Sequence, residues 1–164
     1  MKIIKKILKT FYTYFAYFNS KNKNALKCHI NSFCYFNGNE IFGKNINFNG
    51  CKIYGKGTVT FGDNFHSATG LKFITSYHNY MGEAIPYDST SITKNITIGD
   101  NVWVGMDVTI LGGITIGEGV IIQAGSIVSK NIEALSIIGG NPARTFSSRD
   151  KEHYYEKKND CKFH

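Results

Sequence analysis

The sequence predicts an all-β fold: a parallel β-helix of hexapeptide repeats, with an N-terminal amphipathic α-helix and one extruded loop. Three observations carry this. Residues 92–133 divide without a gap into the sixes ITKNIT, IGDNVW, VGMDVT, ILGGIT, IGEGVI, IQAGSI and VSKNIE, each opening on Ile or Val. The fourth place of each six is Asn95, Asn101, Asp107, Gly113, Gly119, Gly125 or Asn131. These residue types tolerate a left-handed backbone, so the pattern asks for one corner per repeat. Finally, a period of six matches neither the 3.6 of a helix nor the 2 of an ordinary strand, but it fits a short β-branched strand followed by a tight turn. Three such strands close one triangular coil of about eighteen residues, with first and fifth positions filling the interior.

The elements follow in chain order. Over residues 1–18, Ile3, Ile4, Ile7, Leu8, Phe11 and Phe15 form one stripe at helical spacing, with Lys2, Lys5, Lys6 and Lys9 elsewhere, which predicts a basic amphipathic helix. Lysines recur through its apolar run and no small-residue cleavage site follows, so a secretory leader is not expected. Such a helix packs on the β-helix or on a neighbouring subunit, or else lies on a membrane surface. Residues 19–27 are polar and Asn/Lys-rich and read as a linker. The repeat then begins in degenerate form. Phe36, Phe42, Phe48 and Tyr54 are six apart, and a one-residue shift leads on to Phe61 and Phe73 past Ser67; Asn39, Asn45, Gly57, Asn64 and Gly70 hold fourth positions, with Cys51 and Ser76 as departures. Residues 79–91, NYMGEAIPYDSTS, break the pattern and read as a loop extruded from the coil. Beyond residue 133 comes one more short strand, a Gly-Gly-Asn-Pro turn and a charged, Tyr-rich tail with a short helix. The expected division is therefore helix and linker over 1–27, β-helix over 28–146, and tail over 147–164.

A chain of 164 residues can bury one respectable core. Its formal charge of +7 and pI near 9.2 suggest an anionic partner: nucleic acid, a membrane surface or a phosphorylated small molecule. Nucleic-acid binding rests on charge alone and is not expected. Cys28, Cys34, Cys51 and Cys161 show no C-x-x-C pairing and no zinc-ligand spacing, so no metal site is expected, and a reducing cytoplasm is the simplest home.

His78 is the first candidate for chemistry. It holds the sixth place of the hexapeptide from Phe73, directed outward by alternation, and stands immediately before the extruded loop, where an imidazole can accept a proton from a hydroxyl. A plain surface histidine is the competing reading. Trp103, the sole tryptophan, also holds a sixth place; an outward Trp covers a ligand or a subunit interface. His66 and His78, twelve residues apart, fall on different faces and no third histidine lies in the repeat, which disfavours a three-histidine metal centre.

The stretch SYHNYMGEAIPYDSTSITKNITIGDNVW resembles a segment of the hexapeptide-repeat acyltransferases, specifically the maltose, galactoside and polysaccharide O-acetyltransferases, in which a histidine precedes a loop and then IGDNVWIG. The resemblance covers roughly residues 36–146. It implies a left-handed β-helix, against the right-handed preference of general connection rules. By motif it places the catalytic base on His78. It carries donor-site positions for acetyl-coenzyme A onto Trp103, Met106, Ala124, Lys130 and Arg144, the last ending GGNPAR. A basic family position falls on Ser147, with Arg149 as a substitute. Glu83, Asp88 or a backbone carbonyl could orient the second ring nitrogen of His78; Glu83 and Asp88 are also candidates for acceptor binding.

The implied activity is acetyl-coenzyme A dependent O-acetyl transfer to a sugar hydroxyl in surface polysaccharide, by a homotrimer in the cytoplasm, peripheral to the membrane if the helix binds it. Sugar N-acetylation or drug acetylation on the same scaffold is the alternative. From another class comes a non-catalytic structural β-helix, for which Thr97, Thr109 and Thr115 are too irregular a ladder.

Overall fold

The computed structural model describes residues 2–164, with side chains from Ile3 onward, so Met1 and the Lys2 side chain of the predicted helix lie outside the described residues. The fold is a parallel β-solenoid of triangular section, opened by α1 (Lys2–Ser20) and closed by α2 (Lys151–Asn159). A short 3-10 turn, Lys23–Lys27, joins α1 to the first strand.

Among the described residues three sheets form the faces. The first stacks His29–Ile30, Asn47–Phe48, His66–Ser67, Trp103–Val104, Ile121–Ile122 and Ser136–Gly140 in parallel, then adds Ala143–Ser148 antiparallel. The second stacks Cys34–Tyr35, Cys51–Tyr54, Leu71–Ile74, Thr109–Leu111 and Ile127–Val128. The third stacks Glu40–Phe42, Val59–Phe61, Ile96–Ile98 and Thr115–Ile116. Trp103 pairs with Ile121, one coil of eighteen on, but His66 pairs with Trp103 across thirty-seven. The excess is the extruded segment.

The interior follows the period of six. Ile98, Val104, Ile110, Ile116, Ile122 and Val128 at first positions, and Ile96, Val102, Val108, Ile114, Val120 and Ser126 at fifth positions, are buried. Asn101, Asp107, Gly113, Gly119 and Gly125 take positive φ at the corners. Asn95 and Asn131 do not. Each instead accepts a hydrogen bond through Oδ1 from the backbone of the preceding coil, at Thr58 N (2.9 Å) and Thr115 N (2.8 Å) respectively. Ile92 is not an interior residue: it lies half-buried in a hairpin strand opposite Tyr77, so the regular coil resumes near Asn95.

In the lower coils Phe36, Phe48, Phe61 and Phe73 point inward, while Tyr54 is 44% exposed. Ile53, in register with Phe73, takes the interior place expected of Tyr54. The shift of register thus comes one residue earlier than the aromatic spacing suggests; Asn45, Asn64 and Gly70 take the left-handed corners expected of them, but the others fall on Gly38, Gly50 and Gly55, not on Asn39 or Gly57. Cys34 and Cys51 stack in the interior, and burial pushes the Cys34 thiol up to about 12, as befits a space-filling residue.

Two features fix coil against coil at the corner between the third and first faces. Gly43, Gly62, Gly99 and Gly117 form a column in which a Cβ would stand 2.6 Å from Gly62, 2.6 Å from Gly99, 2.7 Å from Glu118 N and 2.4 Å from Ala134 N. Only glycine permits that approach. Beside it, Asn45 donates to Asn64 (3.0 Å), Asn64 to Asn101 (2.9 Å), and Asn101 to the Tyr154 hydroxyl of α2 (2.8 Å).

Candidate active site

The chain leaves the coil at the corner between the second and third faces. Thr75 N donates to Tyr54 O and Lys94 N to Thr75 O, both at 2.8 Å, closing the neck of the extruded segment. Within it Ser76–His78 pairs antiparallel with Ser91–Thr93, so what reads in the sequence as loop alone begins as a β-hairpin. His78 ends the first strand opposite Ser91, and its exposure comes from this hairpin rather than from alternation along the coil. Its imidazole stacks face to face on the Tyr87 ring, centroids 3.8 Å apart and planes 10° apart. Such stacking fixes the ring plane and leaves both nitrogens at its edge.

Asp88 shapes the turn that carries Tyr87. Its carboxylate accepts from Thr90 Oγ1 (2.5 Å), Thr90 N (2.8 Å) and Glu83 N (3.1 Å), and these bonds hold it below the usual carboxylate range. Neither Asp88 nor Glu83 reaches the His78 ring in these contacts. The contact found on the His78 ring is instead the face of Tyr87, nine residues on, a spacing that matches no strand or helix period.

Of the donor-site candidates, Met106, Ala124 and Arg144 share the edge between the first and second faces. Met106 O accepts from Gly125 N (2.7 Å), the Ala124 backbone abuts Gly105, and Arg144 lies opposite Gly139, one coil beyond Gln123. The Arg144 guanidinium donates to Ala143 O (3.0 Å) and is exposed. Lys130 stands apart from them. By the register Thr109↔Ile127 it falls on the corner that carries the hairpin, beyond Gly112, which packs on the Lys94 carbonyl.

Trp103 is 54% exposed on the first face between His66 and Ile121, outward as its place in the repeat requires. It lines a cavity of about 550 Å³ roofed by α2 and the C-terminal tail, with His66, Tyr154, Lys157, Lys158 and His164 around it. No Asp or Glu side chain is among the described residues that line this cavity. Burial, then the neighbouring His164, lowers the His66 pKa. Arg149, the substitute for the family's basic position, is committed elsewhere: its Nε donates to Gly119 O (2.6 Å) and its guanidinium lies over Tyr154. The tail residues about the cavity escaped the sequence reading because they reach Trp103 across some fifty positions, with no repeat to signal it.

Residues 95–130 match the family model described as bacterial transferase hexapeptide (six repeats). Over these residues the repeat is similar to that of the bacterial hexapeptide transferases. Among solved structures, a hexapeptide-repeat acetyltransferase from Vibrio cholerae O1 biovar eltor, complexed with acetyl coenzyme A, is 28% identical over 71% of this chain and 64% of its own, with a TM-score of 0.63. A maltose O-acetyltransferase from Clostridium difficile 630 is 33% identical over 77% of this chain and 62% of its own, TM-score 0.52. An N-acyltransferase from Bacillus cereus, in complex with dTDP and 3-hydroxybutyryl-CoA, shares the fold at 20% identity over 82% of this chain and 76% of its own, TM-score 0.63. The chain thus spans somewhat under two thirds of the length of the first two. No curated protein sequence matched. Among the described residues no group of three His, Cys, Asp or Glu side chains could hold a metal ion.

Proposed function

We propose that this hexapeptide-repeat protein is an acetyl-coenzyme A dependent acetyltransferase acting on a sugar hydroxyl, with His78 as general base. The observation that carries the reading is the His78 imidazole, exposed on a hairpin beside a hexapeptide coil and held in plane by Tyr87. The Vibrio cholerae acetyltransferase complexed with acetyl coenzyme A supports the donor. The maltose O-acetyltransferase supports a sugar acceptor.

In this mechanism His78 takes the proton of the acceptor hydroxyl as its oxygen attacks the thioester carbonyl. The tetrahedral oxyanion collapses, the carbon–sulfur bond breaks, and the departing thiolate takes a proton back from the imidazolium. Backbone N–H groups stabilise the oxyanion. Trp103, Met106 and Ala124 flank the donor, Arg144 and Lys130 supply cations for its phosphates, and Glu83 faces the acceptor. His78 and Lys130 share one corner of the triangle while Met106, Ala124 and Arg144 share another edge, so a complete site joins two copies, in keeping with a homotrimer. Three buried free thiols, Cys28, Cys34 and Cys51, accord with a reducing cytoplasm. Surface polysaccharide is the acceptor class we favour.

The test is a pair of measurements. Acetyl-coenzyme A should quench Trp103 fluorescence saturably in the parent protein and in His78→Ala, with transfer to sugars lost about 10²- to 10⁴-fold in the variant. Donor binding without transfer in the parent, or undiminished transfer in His78→Ala, would overturn the assignment. The Bacillus cereus N-acyltransferase favours a second reading, an amino-sugar acceptor. Treating the product with mild alkali separates the two, since an O-acetyl ester is cleaved and an N-acetyl amide survives.

A further inference from the structure

The amphipathic helix α1 turns its apolar stripe away from the solenoid. Its contacts with the coils come from the last two turns: Tyr12 and Ala16 pack on the core, Phe15 meets Phe33 at 4.8 Å, Asn19 accepts from Phe36 N, and Ser20 donates to Glu40. Ala16 and Ser20 are the buried positions, and at 100° per residue they lie on the face opposite Ile3, Ile4, Ile7, Phe11, Tyr14 and Phe18. All six of those are exposed, up to 71% at Phe18 and 75% at Ile3. This is a contiguous apolar surface about four turns long, without a partner among the described residues.

The charge of the protein is gathered on the same segment. Residues 1–39 contain Lys2, Lys5, Lys6, Lys9, Lys21, Lys23 and Lys27 and no acidic residue. Of 19 Lys and Arg, 12 therefore remain for residues 40–164, which hold all 12 Asp and Glu, so the net +7 resides wholly in the first 39 residues. A second copy of this segment would bring the same seven lysines against the first, and like charges repel. No helix among the described residues is long and apolar enough to cross a membrane.

We infer that α1 lies in the plane of an anionic lipid surface, its Ile/Phe/Tyr stripe entering the headgroup boundary and its lysines drawn by the surface potential. Apolar burial and electrostatic attraction together are what hold an interfacial helix. A Debye length of about 8 to 10 Å spans the width of the helix, so lysines on its far face still feel the lipid charge. The inference is independent of the acetyl-transfer reading.

The test is sedimentation of the full chain with vesicles of phosphatidylcholine alone and of phosphatidylcholine with phosphatidylglycerol. Binding is expected to the anionic vesicles and not to the neutral ones. The triple change Lys5→Ala, Lys6→Ala, Lys9→Ala should weaken it about 100-fold, at roughly fivefold per lysine near an anionic surface. Ile7→Glu with Phe11→Glu should abolish it, with the melting of the solenoid and the particle mass by light scattering unchanged. Failure to bind anionic vesicles, or equal binding to both kinds, overturns the inference. So does a fall in particle mass in the Ile7→Glu, Phe11→Glu protein, which would assign the stripe to a neighbouring copy.

Discussion

The coils before the extruded hairpin and those after it fill the same triangular interior with different side chains. Before it, Phe61 meets Phe42, Phe48, Phe65 and Phe73 at centroid distances of 5.0–5.6 Å, and Phe36 joins through Phe42 and Phe48. After it, the interior holds Ile and Val almost throughout. Coil lengths follow the filling. As far as Val128, Trp103↔Ile121, Thr97↔Thr115 and Thr109↔Ile127 all step by eighteen, and only the last coil, Ile121↔Ile137, shortens to sixteen; before the hairpin the steps vary from seventeen at Cys34↔Cys51 through eighteen at His29↔Asn47 and nineteen at Asn47↔His66 to twenty at Cys51↔Leu71. Small β-branched residues keep a strict period because each adds the same volume per face. Rings at tilted and edge-on angles need corners of variable length to interdigitate.

The sharpest way to break the comparison is to remove a ring. Phe61→Ala deletes the centre of the aromatic column, and loss of a fully buried Phe costs about 3–5 kcal/mol in unfolding free energy. Ile110→Val at an equivalent interior place after the hairpin should cost only about 0.5–1.5 kcal/mol. Denaturant titration of the two variants gives both numbers; equal losses would mean that one methylene after the hairpin is held as tightly as a whole ring before it. The glycine column runs through both halves and should not distinguish them. Gly62→Ala and Gly99→Ala each press a Cβ on the next coil, at 2.6 and 2.7 Å from backbone atoms, and overpacking of this kind costs about 1–3 kcal/mol. A marked difference between them would show that one half yields more readily.

The same contrast explains what could be read from the residues alone. The sixes after Asn95 announced themselves because their first and fifth places are buried without exception up to Val128. Before the hairpin, the spacing of Phe36, Phe42 and Phe48 ran on to Tyr54, and Tyr54 is exposed; the eye followed aromatic identity where Ile53 had taken the interior place. A one-residue change of corner leaves no trace in composition. Thr60, Thr97 and Thr115 stack in register on the third face, but a thirty-seven-residue step hides the first of them from any search at a period of eighteen. At the candidate site, the outward place of Trp103 was legible from the repeat, whereas the hairpin that exposes His78, the Tyr87 stack and the α2 roof depend on contacts that no periodicity encodes.

A smaller effect tests the edge that ties both halves together. Asn64→Ala removes the middle of the Asn45–Asn64–Asn101 ladder and puts alanine at a φ of 56°, and should cost about 2 kcal/mol, roughly half from the bonds and half from the backbone. Asn64→Asp keeps the acceptor for Asn45 but loses the donor to Asn101, so it should fall between the parent and Asn64→Ala.

The mildest perturbation is protonation at the top of that ladder, where α2 is held. Glu118 accepts from the Tyr154 hydroxyl (2.8 Å) and from Lys158 (2.6 Å). Partial burial pushes its carboxyl up, but the bonds from Lys158 and Tyr154 outweigh this and leave it below the usual carboxylate range. A carboxyl depressed in the folded state contributes stability that is complete above its unfolded pKa and is lost as pH falls through the folded one. The docking of α2 should therefore persist through neutral pH and weaken only on acidification below the ordinary glutamate range. The Glu118 and Lys158 side chains are 28% and 36% exposed, so solvent screening keeps the effect under about 1 kcal/mol. Trp103 reports it directly, because it lines the cavity that α2 and the tail roof over. Its emission should shift to the red as the roof loosens in acid, in a transition that Glu118→Gln removes. A transition unchanged in that variant would place the acid sensitivity elsewhere and leave α2 held by Tyr154 packing and the Arg149 bond to Gly119 alone.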